Sequence, residues 1–271
     1  MTLYAELSDG EHLAYDHFNF TPPWQKNDPV ILVHGFSKNR KFWFEWIPDL
    51  ARRYPVYAFD QRSHGDSSAV PEGFEVSLEA FARDIRDFMD SVGIARAHII
   101  AADFTSSVGL VFGHLFPSRT ISLVLPGFGY KWKSQAVALT DWIDLLEHEG
   151  SEAWARATVD VRLPDAADPA FKEWYVTQQG RMNPFFLASL FRYSPSVDLT
   201  DVLPRIKVPV LILAGSLARQ ETAASVREAQ KLLPDCRLVM LEGMPFNVMS
   251  AAPQPCIEET LDFLQAQPTN T

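Results

Sequence analysis

The sequence predicts an α/β protein with a mostly parallel, doubly wound sheet that has helices on both faces. Short, continuously apolar runs at residues 30–33 and 208–214 have the composition of strands that are covered on both sides. Amphipathic segments with helical spacing, such as residues 78–92, alternate with these runs. The chain has 271 residues, a length that suits one large α/β domain with an insertion.

Composition narrows the possible partners. The formal net charge is −10, which argues against nucleic acid or an anionic membrane as partner. Two cysteines, Cys236 and Cys256, are too few for a disulfide framework in a chain of this size. The N-terminus lacks a basic region followed by an apolar one, and no apolar run has the length of a membrane span. We therefore expect a cytoplasmic protein that acts on a small molecule.

The predicted elements of the first half are a hairpin, three buried strands and the helices between them. Asp9-Gly10 lies between two short alternating runs and predicts a hairpin turn. Apolar residues from Phe42 to Ala51 recur at helical spacing. The predicted buried strands cover residues 30–33, 55–60 and 98–101, and the last of them leads into a helix that ends before Pro117. A further strand is expected at 121–125.

The alternation of strands and helices stops between residues 129 and 198. Aromatic residues are frequent there, and Trp142, Leu145 and Leu146 fall on one face of a helix. We interpret 129–198 as a helical lid inserted into a core formed by 1–128 and 199–271. In the second part of the core we expect a strand at 208–214, a helix at 222–233, a strand at 237–241 and a last helix from Pro253.

Four motifs in this order identify a known superfamily. They are His34-Gly35-Phe36 after a strand, Asp60-x-Arg62-x-His64-Gly65 after the next, a strand–turn–helix at 98–115, and the run 209–215 late in the chain. Together they resemble the α/β-hydrolase superfamily over roughly residues 10–266, and small bacterial lactonases, perhydrolases and ring-cleavage hydrolases in particular. The resemblance implies the α/β-hydrolase fold with an inserted helical lid.

The resemblance also locates the three positions of a Ser-His-Asp triad, and none has the usual residue. Counting back from Pro117, where the family's elbow helix ends, places Asp103 at the nucleophile position, with Ala101 and Thr105 in place of the elbow glycines. Ala218 takes the position of the acid and Phe246 that of the histidine. No histidine follows His148 in the chain. A serine-hydrolase relay therefore cannot form.

Other parts of the predicted site remain. The backbone N–H groups of Phe36 and Phe104 match the oxyanion-hole donors of the family. We expect the following residues to line a substrate pocket: His34, Ser37, Trp142, Trp174, Phe185, Phe186, Ala218 and Phe246. The seven histidines are dispersed and no glycine-rich phosphate loop occurs, so the sequence indicates neither a metal nor a cofactor. It does not indicate an oligomeric state.

Three functional hypotheses follow. The first is an enzyme that uses Asp103 and the oxyanion hole for non-hydrolytic acid/base chemistry on a small hydrophobic substrate: proton transfer, elimination, cyclisation or cofactor-free oxygenation. The second is an inactive relative that binds a ligand. The third is an ester or lactone hydrolase, or a dehalogenase-like enzyme with an aspartate nucleophile. Asp103 could also simply cap the helix that follows it. A helix N-terminus lowers the pKa of a carboxyl and apolar neighbours raise it.

Overall fold

The computed structural model describes residues 2–70, 74–132, 136–217 and 220–268. Within these ranges eight strands form one sheet in the order β1-β2-β4-β3-β5-β6-β7-β8. β1 and β2 pair antiparallel, as do β2 and β4, whereas every pair from β4 to β8 is parallel. The predicted mostly parallel sheet is confirmed, with the predicted hairpin at one edge.

Burial explains why the central strands are continuously apolar. Every residue of β3, β5, β6 and β7 is buried, because helices cover both faces of the sheet. The strands are β1 Leu3–Glu6, β2 His12–Phe18, β3 Val30–Val33, β4 Val56–Phe59, β5 Ala97–Ala101, β6 Thr120–Pro126, β7 Val210–Gly215 and β8 Cys236–Leu241.

The helices lie close to the predicted positions. They are α1 Ile47–Leu50, α2 Leu78–Ser91, α3 Ser106–Leu115, α4 Ala136–Thr158, α5 Pro169–Gly180, α6 Pro184–Tyr193, α7 Gln220–Leu232, α8 Val248–Ala251 and α9 Pro253–Gln265. Side-chain hydrogen bonds define the N-termini of three helices: Ser77 caps α2, Asp168 caps α5 and Asn183 caps α6. No helix in the described part of the chain is long and apolar enough to cross a bilayer.

One predicted helix is divided. The apolar spacing from Phe42 to Ala51 predicts a single helix, but the structure has a 3₁₀ turn at Arg40–Trp43 followed by the short helix α1. Pro48 lies in the first turn of α1, where its missing N–H is tolerated, whereas the interior of a longer helix would not accept it.

Helices α4, α5 and α6 (residues 136–193, called the helical insertion below) follow β6 in the chain and precede β7. They fall within the range predicted for a lid. Gly150 interrupts α4 with a φ of 88°, a conformation that glycine adopts without a Cβ penalty. The interruption divides this long helix into two segments.

Candidate active site

The carboxyl ends of the parallel strands bring four separate chain segments to one edge of the sheet. Lys38 comes in the loop after β3, Asp103 comes just after β5, and Gly127 directly follows β6. Phe246 and Asn247 lie between β8 and α8. Ligand sites of open α/β sheets form at this edge, and the polar groups described next meet there.

Asp103 occupies a sharp turn between β5 and α3. Its φ is 58°, and Ser63 is the one other non-glycine residue with positive φ among the described residues. Such a conformation costs about 1–2 kcal/mol and is concentrated at functional sites. The Thr105 hydroxyl donates to the carbonyl oxygen of Ala102 at 2.7 Å and lies 3.1 Å from that of His34. The threonine thus contributes bonds that a glycine could not make, and the strand–turn–helix elbow is retained.

Two glycines give the Asp103 carboxylate its space. A Cβ built on Gly35 would lie 2.7 Å from Oδ2, and one built on Gly127 would lie 2.6 Å from Oδ1. These distances are shorter than real Cβ contacts allow. Gly127 also has a φ of 71°, which disfavours any larger residue there. Both oxygens of the carboxylate are therefore closely confined by backbone.

Lys38 is the ionic partner of Asp103. Its Nζ lies 2.7 Å from Asp103 Oδ2, and its side chain is 2% exposed against 15% for Asp103. The same Nζ donates to Asn247 Oδ1 at 2.6 Å and approaches Ser250 Oγ at 3.4 Å. Three acceptors match the three N–H groups of an ammonium. Asn247 is held in turn, because its Nδ2 donates to the Tyr175 hydroxyl at 2.8 Å.

The other carboxylate oxygen, Oδ1 of Asp103, is buried and has no hydrogen-bond partner among the described residues. Burial raises the pKa of the Asp103 carboxyl above its ordinary value of 3.8, although the Lys38 ammonium acts in the opposite direction. The carboxyl is therefore easier to protonate than a solvent-exposed aspartate. Lys38 fixes one oxygen, and the other has no hydrogen-bond partner among the described residues.

Asp103 does not cap the helix that follows it. The amide of Ser106 bonds to the backbone carbonyl oxygens of Asp103 and Phe104, and no side chain caps α3. The carboxylate bonds to Lys38 instead. The capping interpretation is thus replaced by that of a buried ion pair.

A cavity of about 300 Å³ lies beside Asp103, between the sheet edge and the helical insertion. Phe36, Phe104 and Trp132 form a continuous aromatic wall, with ring centroids 4.4 and 4.8 Å apart along the series. The insertion contributes Leu139, Trp142, Trp154, Val161, Arg162, Tyr175 and Phe191, and the remaining lining residues are Ser37, Lys38, Ser194, Leu217, Pro245, Phe246 and Asn247. Few polar groups interrupt this apolar surface, as is usual for a small-molecule site.

No histidine lines this cavity, and all seven histidines of the chain are described. His34 is fully buried. The amide of Gln61 donates to its Nε2 at 3.0 Å, so its Nδ1 carries the proton and donates to the Gly35 carbonyl oxygen at 2.9 Å. Burial lowers the pKa of His34 well below its ordinary value. Both ring nitrogens are therefore occupied, and His34 cannot act as a base.

His64 and Arg62 support the loop that carries Phe36. The His64 ring lies 2.7 Å from the carbonyl oxygens of both Arg62 and Phe36. Arg62 forms a two-bond ion pair with Asp84, at 2.7 and 2.8 Å. Both residues of this motif therefore have structural partners.

The structure brings together some of the predicted site residues and not others. Asp103, Phe36, Phe104, Ser37, Trp142 and Phe246 all line the cavity. His34, Trp174, Phe185 and Phe186 do not. Trp174 packs on Phe42, with centroids 5.0 Å apart, Phe185 is largely exposed, and Phe186 is buried in the core. Ala218 lies outside the described residues.

The sequence does not predict five polar residues of the cavity: Lys38, Arg162, Tyr175, Ser194 and Asn247. Lys38 and Asn247 are 209 positions apart in the chain, so no local spacing connects them. The one sequence signal for Lys38 is its place directly after Phe36 and Ser37, in the predicted oxyanion loop. Arg162, at the end of the 3₁₀ turn after α4, has no motif around it.

Neither the cavity nor the other described residues hold a cluster of three histidine, cysteine, aspartate or glutamate side chains that could bind a metal ion. The charged residues described in the cavity wall are Lys38, Arg162 and Asp103. Burial lowers the pKa of the Arg162 guanidinium, which nonetheless stays charged at neutral pH.

Known proteins share the fold described above. A family model described as alpha/beta hydrolase fold matches residues 28–147. This model covers less than half of the chain, and the structure has the α/β-hydrolase fold. Among solved structures, an enol-lactonase from Burkholderia xenovorans superimposes with a TM-score of 0.86 at 20% identity, over 97% of this chain and 100% of the other. At this identity the superposition establishes the fold of this α/β-hydrolase-fold protein alone.

Two curated relatives match a shorter segment. A bifunctional epoxide hydrolase 2 from Sus scrofa is 40% identical over 75 residues, which is 26% of this α/β-hydrolase-fold chain and 13% of the relative. A fluoroacetate dehalogenase from a Burkholderia species is 35% identical over 74 residues, 26% of this chain and 24% of that protein. The matched segment thus spans at most about a quarter of either relative.

Proposed function

We propose that this protein is an enzyme that moves a proton on a small, largely apolar substrate, with Asp103 as the acid/base and without hydrolysis. The observation that carries the proposal is the state of Asp103: a buried carboxyl with raised pKa and one unbound oxygen, at a cavity that no histidine lines. A general base works best when its pKa approaches the working pH, and burial moves this carboxyl in that direction.

Lys38 has a positioning role in this proposal. Its three acceptors fix the ammonium, and the ammonium fixes Asp103 Oδ2. We assign Oδ1, which has no partner among the described residues, as the oxygen that takes the proton. Because the charges of the pair offset each other, the carboxylate can exist in an apolar cavity without a second proton donor.

The reaction would begin with a C–H bond next to a carbonyl group. Asp103 Oδ1 takes the proton, and the electron pair of the broken bond moves onto the carbonyl oxygen as an enolate. The backbone N–H groups of Phe36 and Phe104 would donate to that oxygen, the role they have by resemblance to the superfamily. Asp103 then returns the proton to the same or another atom. The helical insertion, as a lid, would exclude water.

A second candidate is supported by the names of the relatives and by the aspartate at the elbow. In an aspartate-nucleophile dehalogenase or epoxide hydrolase, the carboxylate displaces a leaving group at carbon and forms an ester that activated water then cleaves. Here no histidine is positioned to activate that water. Asp103 could form the ester, but the ester would accumulate.

The proposal is tested by hydrogen exchange. We would screen enolisable aromatic ketones and keto acids by thermal shift, and then follow exchange of the proton next to the carbonyl for solvent deuterium by NMR. The expected result is exchange catalysed by the parent protein and slowed about 100-fold or more in Asp103→Asn, with binding retained. Equal exchange by the two proteins would contradict the proposal, and binding without any catalysed exchange would favour an inactive ligand-binding protein.

The hydrolytic candidates have their own readouts. After incubation with fluoroacetate or styrene oxide, intact-mass spectrometry should show no adduct on the parent protein. A stoichiometric adduct that Asp103→Asn abolishes would identify Asp103 as a nucleophile instead. Appreciable turnover of p-nitrophenyl esters would overturn the view that the triad has been lost.

A further inference from the structure

Arg162 lies in the wall of the cavity with part of its guanidinium unused. Its Nε and Nη2 donate to the carbonyl oxygens of Thr158 and Ala155, each at 3.1 Å, and Nη2 also bonds to the Thr158 hydroxyl. Its Nη1 is buried and has no partner among the described residues. The bonds of Nε and Nη2 anchor the side chain to the end of α4, while Nη1 remains without a hydrogen-bond acceptor.

The charge of Arg162 has no direct ion pair among the described residues, although Asp103 acts on it at longer range. Lys38 forms an ion pair with Asp103, but within the described ranges Arg162 has no carboxylate within salt-bridge distance. Its guanidinium instead lies 4.3 Å from the ring centroid of Trp154 and 5.6 Å from that of Tyr175. Aromatic faces offset only part of the cost of a buried cation. The charged side chains described in the cavity wall are Lys38, Arg162 and Asp103, so cations outnumber carboxylates among them.

We infer that the ligand of this cavity is a small organic acid, whose carboxylate binds Arg162 while its apolar body lies against the aromatic wall. This inference rests on the proposed function, because the bound acid is a substrate only if the protein is the enzyme proposed above. A carboxylate oxygen would supply the acceptor that Nη1 lacks, in a charge-assisted hydrogen bond. A cavity of about 150 Å³ can hold benzene. The present cavity, at about 300 Å³, has room for a ring with a short acidic side chain.

Phenylacetate and phenylacetamide test this inference, because they have the same shape and differ in charge. Binding can be followed by tryptophan fluorescence, since Trp132, Trp142 and Trp154 all line the cavity. We expect the parent protein to bind phenylacetate about tenfold more tightly or better. Equal affinity for the two compounds, including no detectable binding of either, would overturn the inference.

The variants assign the preference to one side chain. Arg162→Met should lose the preference for phenylacetate and keep its affinity for phenylacetamide, whereas a retained preference would contradict the inference. Arg156→Met is the matched control, because Arg156 belongs to the same insertion but is exposed and paired with Glu173; it should change neither affinity. If Arg162→Met fails to fold, Arg162→Lys should keep part of the preference, because it keeps the charge but loses the planar guanidinium that is anchored to the end of α4.

Asp103→Asn separates this inference from the proposed function. Removal of the carboxylate leaves Arg162 in place, so the variant should keep or increase the preference for phenylacetate while it loses proton exchange. A charge preference without Asp103-dependent exchange would mean that the proposed function fails and the anion site stands. Asp103-dependent exchange without a charge preference would mean the reverse.

Discussion

Replacement of Lys38 by methionine should destabilise the protein, and the loss should depend on pH. The ammonium is the one hydrogen-bond partner of the Asp103 carboxylate among the described residues. Removing one member of a buried ion pair costs about 3–5 kcal/mol. Asn247 Oδ1 and Ser250 Oγ also lose their donor, and an unsatisfied buried acceptor costs about 1–3 kcal/mol at any pH.

The direction of the pH dependence follows from Asp103. Its pKa in the folded protein lies above 3.8, so between the two values the folded state binds more protons than the unfolded chain. Stability from the neutral carboxyl is therefore complete below the unfolded value and is lost as pH rises through the folded value. Lys38→Met raises the folded pKa further. The carboxyl can then become neutral by protonation at acidic pH. The stability difference between variant and parent should therefore be smaller there than at higher pH, by about 1.4 kcal/mol for each unit of additional shift.

Urea denaturation near pH 5 and near pH 8, followed by tryptophan fluorescence, measures this effect. The difference between variant and parent at each pH cancels groups that the substitution leaves unchanged. Adding Asp103→Asn to Lys38→Met should restore about 2 kcal/mol or more near pH 8. Lys131→Met is the control, since its pair with Glu228 is half exposed and should cost at most about 1 kcal/mol. An equal loss at both pH values, with no recovery in the double variant, would refute the assignment of a buried ion pair.

Three further predictions concern the elbow, and urea denaturation checks them all. Asp103→Gly should be more stable than Asp103→Ala by about 1 kcal/mol, because only the alanine retains a Cβ at positive φ; the reverse order would contradict the elbow geometry. Gly127→Ala should be more destabilising than Gly93→Ala, which has a similar positive φ but no atom near its Cβ; equal losses would mean that Asp103 does not confine Gly127. Thr105→Ala should lower the free energy of unfolding by about 1 kcal/mol, and Thr105→Ser, which keeps the hydroxyl, should lose much less. Equal losses in the two variants would mean that the hydroxyl bond to Ala102 does not stabilise the elbow.

The sequence predicted the framework of the site because the framework is local. Buried strands are continuous apolar runs, and the elbow position follows by counting from Pro117 along one helix. Counting back from Pro253 predicts the position of Phe246 in the same way, and Phe246 does line the cavity. In each case the position depends on a short segment whose length the chain itself fixes.

The chemistry of the site was less predictable, because it depends on contacts between distant segments. Lys38 reaches Asp103 and Asn247 only because β3, β5 and β8 end at one sheet edge. Periodicity identified the aromatic helices of the insertion but did not indicate which face meets the core. Trp154 and Phe191 therefore line the cavity in place of the expected Trp174 and Phe185.

The pH profile of catalysed proton exchange tests the central claim most directly. With a ketone or keto acid that binds, the rate should rise with pH through an inflection above the ordinary aspartate value of 3.8, because Asp103 must be ionised to take the proton. The inflection should move to higher pH in Lys38→Met, and the catalysed rate should disappear in Asp103→Asn. A rate that Asp103→Asn leaves unchanged, or a profile without this inflection, would contradict the assignment of Asp103 as the acid/base.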